Sequence, residues 1–129
     1  MLEINNLTKF KIDRKSFTQV AKKVLSGENK ETETLSLAFV SKTEMQRLNK
    51  KFRGENKPTD VLSFSAQGGP AGGWEETLGE VVICPEVVKG KGEDMLEVFV
   101  HGVLHLLGYD HEKSQKEAEI MERKQKFYL

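Results

Sequence analysis

The sequence predicts an α+β domain in which a single mixed sheet of about four strands packs with helices. Three observations lead there. Apolar residues recur at helical spacing in some stretches and alternate, or run unbroken over strand length, in others, in the order β-α-β-α-β-β-α-α. The 129 residues suit one ordinary domain, 1–129, large enough to enclose a core without staples. With 37% hydrophobic and 31% charged residues, the composition is that of a folded globular chain rather than a disordered one.

Leu2 and Ile4 open a short alternating strand. Phe17, Val20, Ala21, Val24 and Leu25 follow at helical spacing, and Gly27 offers a stop. Leu35, Leu37 and Phe39 alternate with smaller residues, as in a half-buried strand. Ser41-Lys42-Thr43-Glu44 has the form of a capping box; Met45, Leu48 and Phe52 then give a helix its apolar stripe, ending at Gly54. Val61-Leu62-Ser63-Phe64 reads as a strand after Pro58, and the stretch from Gln67 to Gly73, rich in glycine, as a loop. Val81-Val82-Ile83-Cys84 is a continuous apolar run stopped by Pro85. From Asp94 to Leu107 an unusually apolar helix is expected, with Gly108 ending it. Ser114-Gln115-Lys116-Glu117 is a second capping box and opens a terminal helix through Met121 towards Phe127.

The formal net charge is zero, so no global field advertises a nucleic-acid or membrane partner. The charge is unevenly spread, however. Lys42, Arg47, Lys50, Lys51, Arg53 and Lys57 outnumber Glu44 and Glu55 in one segment, while residues 75–97 lean acidic. Such a basic run is ordinarily solvated surface, although it can hold a polyanion locally. Cys84 is the only cysteine, which excludes an internal disulfide and a cysteine-based zinc site; it reads as a small apolar residue in a buried strand. No signal peptide and no apolar run of membrane-spanning length are visible, so a cytoplasmic location without membrane contact is expected.

All three histidines fall in the segment His101-Gly-Val-Leu-His105-Leu-Leu-Gly108-Tyr-Asp-His111. His101 and His105, at i and i+4, share one helical face. Gly108 permits a sharp turn out of the helix that returns His111 to the same point. Three imidazoles around one tetrahedral zinc leave a position open, the arrangement of catalytic rather than structural sites. Unpaired imidazoles on an otherwise apolar helix are costly without an ion to bind. The spacing H-x-x-x-H-x-x-G-x-x-H matches the frame of the metzincin proteases, a zincin-like metal helix, with one difference. Those enzymes carry a glutamate as general base directly after the first histidine, where this chain has Gly102. Met121 is the nearest counterpart of their methionine turn, but its helical stretch assigns it to the core.

Residues 101–111 fit H-G-x-L-H-L-x-G-Y-D-H, Gly102 included, and thereby resemble the YbeY endoribonuclease family of bacterial rRNA-maturation factors. Asn49-Lys-Lys-Phe-Arg53-Gly-Glu-Asn-Lys-Pro58-Thr-Asp-Val-Leu-Ser-Phe64 is similar to a second family segment, and Leu78-Gly-Glu-Val-Val-Ile-Cys84 to a third. One departure is Ser65, where the family commonly has proline. The resemblance implies a zinc-dependent endoribonuclease with one Zn2+ per chain, acting on single-stranded RNA near the 3′ end of small-subunit rRNA. It also implies the small ribosomal subunit and its assembly factors as partners, and a role in ribosome quality control.

Arg53 offers a planar, permanently charged fork suited to phosphate. By its residues alone it reads first as a surface arginine favoured at a helix C-terminus; the resemblance puts phosphate binding, and hence a catalytic role, ahead. Asp110 either orients a histidine or closes a turn, with the turn favoured. Tyr109 packs or meets substrate, and Thr59 and Asp60 cap or bind. Aromatics total 8%, too few for a large base-stacking platform. Two other classes fit the metal motif: a metallopeptidase or other zinc hydrolase, and a non-catalytic ribosome-assembly factor stabilised by zinc. A glutamate at position 102 is expected to stand beside the metal, so that Gly102→Glu keeps zinc, slows RNA cleavage and gains no peptidase activity.

Overall fold

The computed structural model describes residues 1–66, 77–110 and 112–129. The elements follow as β1 (Leu2–Asn6), α1 (Arg14–Gly27), β2 (Thr34–Phe39), α2 (Lys42–Arg53), β3 (Val61–Ser65), β4 (Thr77–Ile83), α3 (Pro85–Gly90), α4 (Met95–Leu106) and α5 (Gln115–Tyr128). The four strands form one sheet in the order β1-β2-β4-β3. β1, β2 and β4 run parallel, and β3 pairs antiparallel with β4, so the sheet is mixed as expected.

Strand alternation divides the core between the two faces of the sheet. Leu35, Leu37 and Phe39 of β2, with Val81 and Ile83 of β4, join α1, α4 and α5 on one side. Ala38, Leu62, Val82 and Cys84 point the other way, onto Met45 and Leu48 of α2. Cys84 is fully buried, the apolar role its sequence context assigns. Phe52 departs from expectation: Met45 faces inward at 0% exposure, but Phe52 is 56% exposed at the end of the same stripe.

Side-chain caps start four helices. Asp13, Ser41, Asp94 and Ser114 accept from the amides of Ser16, Glu44, Leu96 and Glu117. The Ser41 box is half-used, since the Glu44 carboxylate turns to Arg47 at 2.6 and 2.7 Å. Two local readings need correction. Pro85 stops β4 but also begins α3, at a first-turn position where its missing N–H costs nothing. β4 starts at Thr77, well before the apolar run, because a register shift beside Leu35 and Gly79 carries the strand through an irregular step. α1 ends at Gly27 as expected, although the positive φ falls at Asn29; Gly27 also makes room for Tyr128, whose Oη would lie 2.5 Å from an added Cβ. The Gln67 to Gly73 loop lies outside the described residues.

Candidate metal centre

α4 carries the first two histidines across the middle of the domain. Val98, Phe99, Val100, Val103 and Leu104 bury its inward faces, leaving His101 and His105 half-buried on the wall of a cleft. Their Nε2 atoms stand 3.2 Å apart, with ring planes at 77°. Two nitrogens bound to one tetrahedral ion at about 2.0–2.1 Å stand about 3.3 Å apart, so this pair has the span of one edge of a zinc tetrahedron. These two donors are compatible with one edge of such a site, although among the described residues no group of three or more His, Cys, Asp or Glu that could hold a metal is found. His111, the third expected ligand, lies outside the described residues. Gly108 holds φ +100, the conformation that only glycine adopts freely, and turns the chain out of the end of α4.

Gln125 was not foreseen as part of this site. Its Oε1 lies 3.3 Å from His101 Nδ1. A proton on Nδ1 donated to that oxygen leaves Nε2 as a lone pair facing its neighbour. The signal was weak but present: Gln125 follows Met121 by one helical turn and precedes Tyr128, so a polar residue falls on the buried face of α5.

The cleft measures about 700 Å³ and is lined by Arg53, Asp60, Ser63, His101, His105 and Tyr109, among others. Arg53 is the last residue of α2, where Gly54, at φ +72, closes the helix with its amide on Lys50 O. The following loop is tied by Asn49, a buried residue whose Nδ2 donates to Lys57 O at 2.8 Å. Arg53 is thus brought to the same cleft as the two histidines from a distant part of the sequence. Ser63 of β3 donates to Gly102 O at 2.9 Å, pinning α4 to the strand below it.

Gly102 itself overturns one expectation. A Cβ there would lie 2.9 Å from Val81 Cγ1, 3.2 Å from Ser63 Oγ and 3.3 Å from Val61 Cγ2. The position faces the sheet rather than the cleft, so a glutamate there would drive a carboxylate into packed strands instead of standing beside a metal.

The neighbouring polar groups sort into structural roles. Asp110 Oδ1 accepts from Glu112 N at 2.9 Å, the turn role favoured for it. Tyr109 packs, donating its hydroxyl to Glu28 Oε1 at 2.6 Å. Glu28 also receives Tyr128 Oη and Lys124 Nζ, the latter at 2.9 Å. Burial alone would raise the Glu28 carboxyl, but these hydrogen bonds and the Lys124 charge outweigh it and hold the group below its ordinary value. Burial and the same carboxylate push Tyr128 up to about 12. Asp60 Oδ1 accepts from Val61 N at 2.9 Å and Thr59 Oγ1 at 3.2 Å. Burial would raise Asp60 too, yet hydrogen bonds and Lys91 hold it low, while burial and Asp60 together raise Glu93. Met121 is buried in α5, in the core as expected.

Residues 3–129 match a protein-family model described as Endoribonuclease YbeY. Among curated relatives, the endoribonuclease YbeY of Bdellovibrio bacteriovorus is 44% identical over 105 residues, covering 75% of this chain and 65% of the relative. That of Thermotoga neapolitana is 36% identical over 102 residues, covering 73% of this chain and 64% of the relative. The matches thus span a little under two thirds of these relatives' length. The solution structure of a Thermotoga maritima protein superposes with a TM-score of 0.61 at 33% identity, covering 99% of this chain and 86% of that one. No helix among the described residues is long and apolar enough to cross a membrane.

Proposed function

The chain belongs to the YbeY endoribonuclease family, and from that premise we propose that it is a zinc-dependent endoribonuclease cutting single-stranded RNA. His101, His105 and His111 hold one zinc per chain, and Arg53 engages the scissile phosphate. The observation that carries this reading is the pair of Nε2 atoms 3.2 Å apart on the wall of a cleft that Arg53 also lines.

Bound zinc supplies Lewis acidity and a water whose pKa falls towards ~7. The protein's own groups supply orientation and charge. Gln125 holds the His101 proton on Nδ1, so the ring presents its other nitrogen to the cleft. Arg53 is exposed at the rim, where a planar fork can take two phosphate oxygens at once. Ser63 fixes α4 against β3, which keeps the histidine face at a set distance from that rim. Family membership points to small-subunit rRNA near its 3′ end as the substrate, in maturation and ribosome quality control. The small subunit and its assembly factors are then the partners, and the cytoplasm the setting. Against the peptidase alternative stands Gly102, whose packed surroundings have no room for that class's glutamate.

Metal analysis of purified protein should find about one zinc per chain. His105→Ala should lose most of it; zinc content equal to wild type would overturn the ligand assignment. Arg53→Ala should keep zinc and melting temperature while cutting single-stranded RNA about a hundredfold more slowly, with Arg53→Lys recovering only part. Wild-type cleavage by Arg53→Ala would return that residue to the solvated surface.

A further inference from the structure

Phe52 directly precedes Arg53 in the last turn of α2 and is 56% exposed. Its ring meets Phe64 edge to face, with centroids 5.1 Å and planes 69° apart. That contact braces the ring without stacking on it, so at least one face of Phe52 is left uncovered by Phe64. Phe64 sits between Ser63 and Ser65 on β3, and both of those residues line the cleft. By strand alternation Phe64 turns to the α2 side of β3 together with Leu62, so the braced Phe52 ring stands across β3 from the cleft, one residue before the arginine that reaches the cleft rim.

The surroundings are cationic. Lys50, Lys51, Arg53 and Lys57 are all exposed, and none of them has an ion-pair partner among the described residues. Lys51 Nζ lies 5.3 Å from the Phe52 centroid. The acid closest to α2's start, Glu44, is engaged by Arg47. An exposed ring among cations without ion-pair partners matches a nucleotide in single-stranded form: the base takes the ring, displacing the flexible Lys51 side chain that lies over it, and the flanking phosphates take the charges.

We propose that Phe52 is a stacking platform for one base of the RNA whose phosphate Arg53 holds, an inference that rests on the nuclease reading above. The low aromatic content argues against a platform for several bases, but one ring suffices for one. The arrangement also gives single-strand preference a physical source, because a base still paired in a duplex has no free face to offer Phe52.

The test uses zinc-loaded protein and a single-stranded RNA oligonucleotide cut at one position. Phe52→Leu keeps an apolar group on Phe64 but removes the flat face; Phe52→Tyr restores it. Phe52→Leu should raise KM about tenfold with little change in kcat, and Phe52→Tyr should behave as wild type. Replacing each base in turn by an abasic residue should cost the wild type about tenfold at one position near the cut, and cost Phe52→Leu nothing more at that position. An unchanged KM in Phe52→Leu, or no sensitive position in the wild type, would overturn the platform and leave the nuclease reading standing. An equal abasic penalty in both proteins would do the same. Wild-type protein that cuts no RNA would overturn both.

Discussion

Gly102 sits between two candidate ligands, yet its identity is set by packing. The nearest atom to its missing side chain is Val81 Cγ1, at 2.9 Å, and Val81 is 0% exposed in β4. A β-branched residue held in a strand has little rotamer freedom with which to give way. Replacing glycine by alanine in a helix ordinarily gains about 1 kcal/mol, whereas overpacking a filled core costs about 1–3 kcal/mol. The second term wins here, so Gly102→Ala should be destabilised by about 1 kcal/mol, a fall in melting temperature of about 3–5 °C for a domain of this size. A variant melting at or above wild type would refute the packing account. The two helical histidines were legible in the sequence because i and i+4 is a local geometry that any helix enforces. The surroundings of Gly102 were not, since Val61, Ser63 and Val81 reach it from strands far along the chain and no periodicity encodes that approach. The chemistry of a motif was readable there, and the direction of one Cα–Cβ bond was not.

Among elements, the most consequential joint is the one Glu28 makes at the C-terminal end of α1. Its carboxylate, 9% exposed, ties the turn after α4 through Tyr109 and ties α5 through Lys124 and Tyr128. Losing a charge-assisted hydrogen bond costs about 1.5–3 kcal/mol, and Glu28→Gln weakens three at once while keeping the shape, so a total loss of about 2–4 kcal/mol is expected in denaturant unfolding. The pH dependence has a definite sign. The folded pKa is depressed below 4.5, so the contribution is present above that value and disappears as pH falls through the lower folded one. Glu28→Gln should therefore lose less stability than wild type between neutral and acid pH; parallel curves would count against the joint. Most elements were legible, because alternation, helical stripes and the serine caps at Ser41 and Ser114 are local signals. α3 was not: six residues that open on a proline carry too short a pattern to separate a helix from a strand end. The closeness of Gly27 to Tyr128 escaped for a different reason, being a contact between the end of α1 and α5, far apart along the sequence.

In the molecule as a whole, α4 is both a wall of the cleft and a central piece of the core. It packs on α1, α3, α5, β3 and β4, and Phe99, Val100, Val103 and Leu104 are each 0% exposed along it. The sheet has a second filled layer against α2, built from Ala38, Met45, Leu62, Val82 and Cys84 without any candidate ligand. A fold closed in this way by apolar burial does not need a metal to hold it, unlike small zinc domains that are unfolded without their ion. This bears on the alternative in which zinc only stabilises an assembly factor. If zinc is bound for chemistry at the cleft, chelation should abolish RNA cleavage yet leave the far-ultraviolet circular dichroism of a folded α+β domain. The melting transition should stay cooperative and move down only by the linkage term, about 2.7 kcal/mol for free zinc at a hundred times its dissociation constant. Restoring zinc should restore cleavage without a refolding step. Unfolding on chelation at neutral pH would show instead that the ion is a structural clamp, and the open cleft beside Arg53 would then need another occupant.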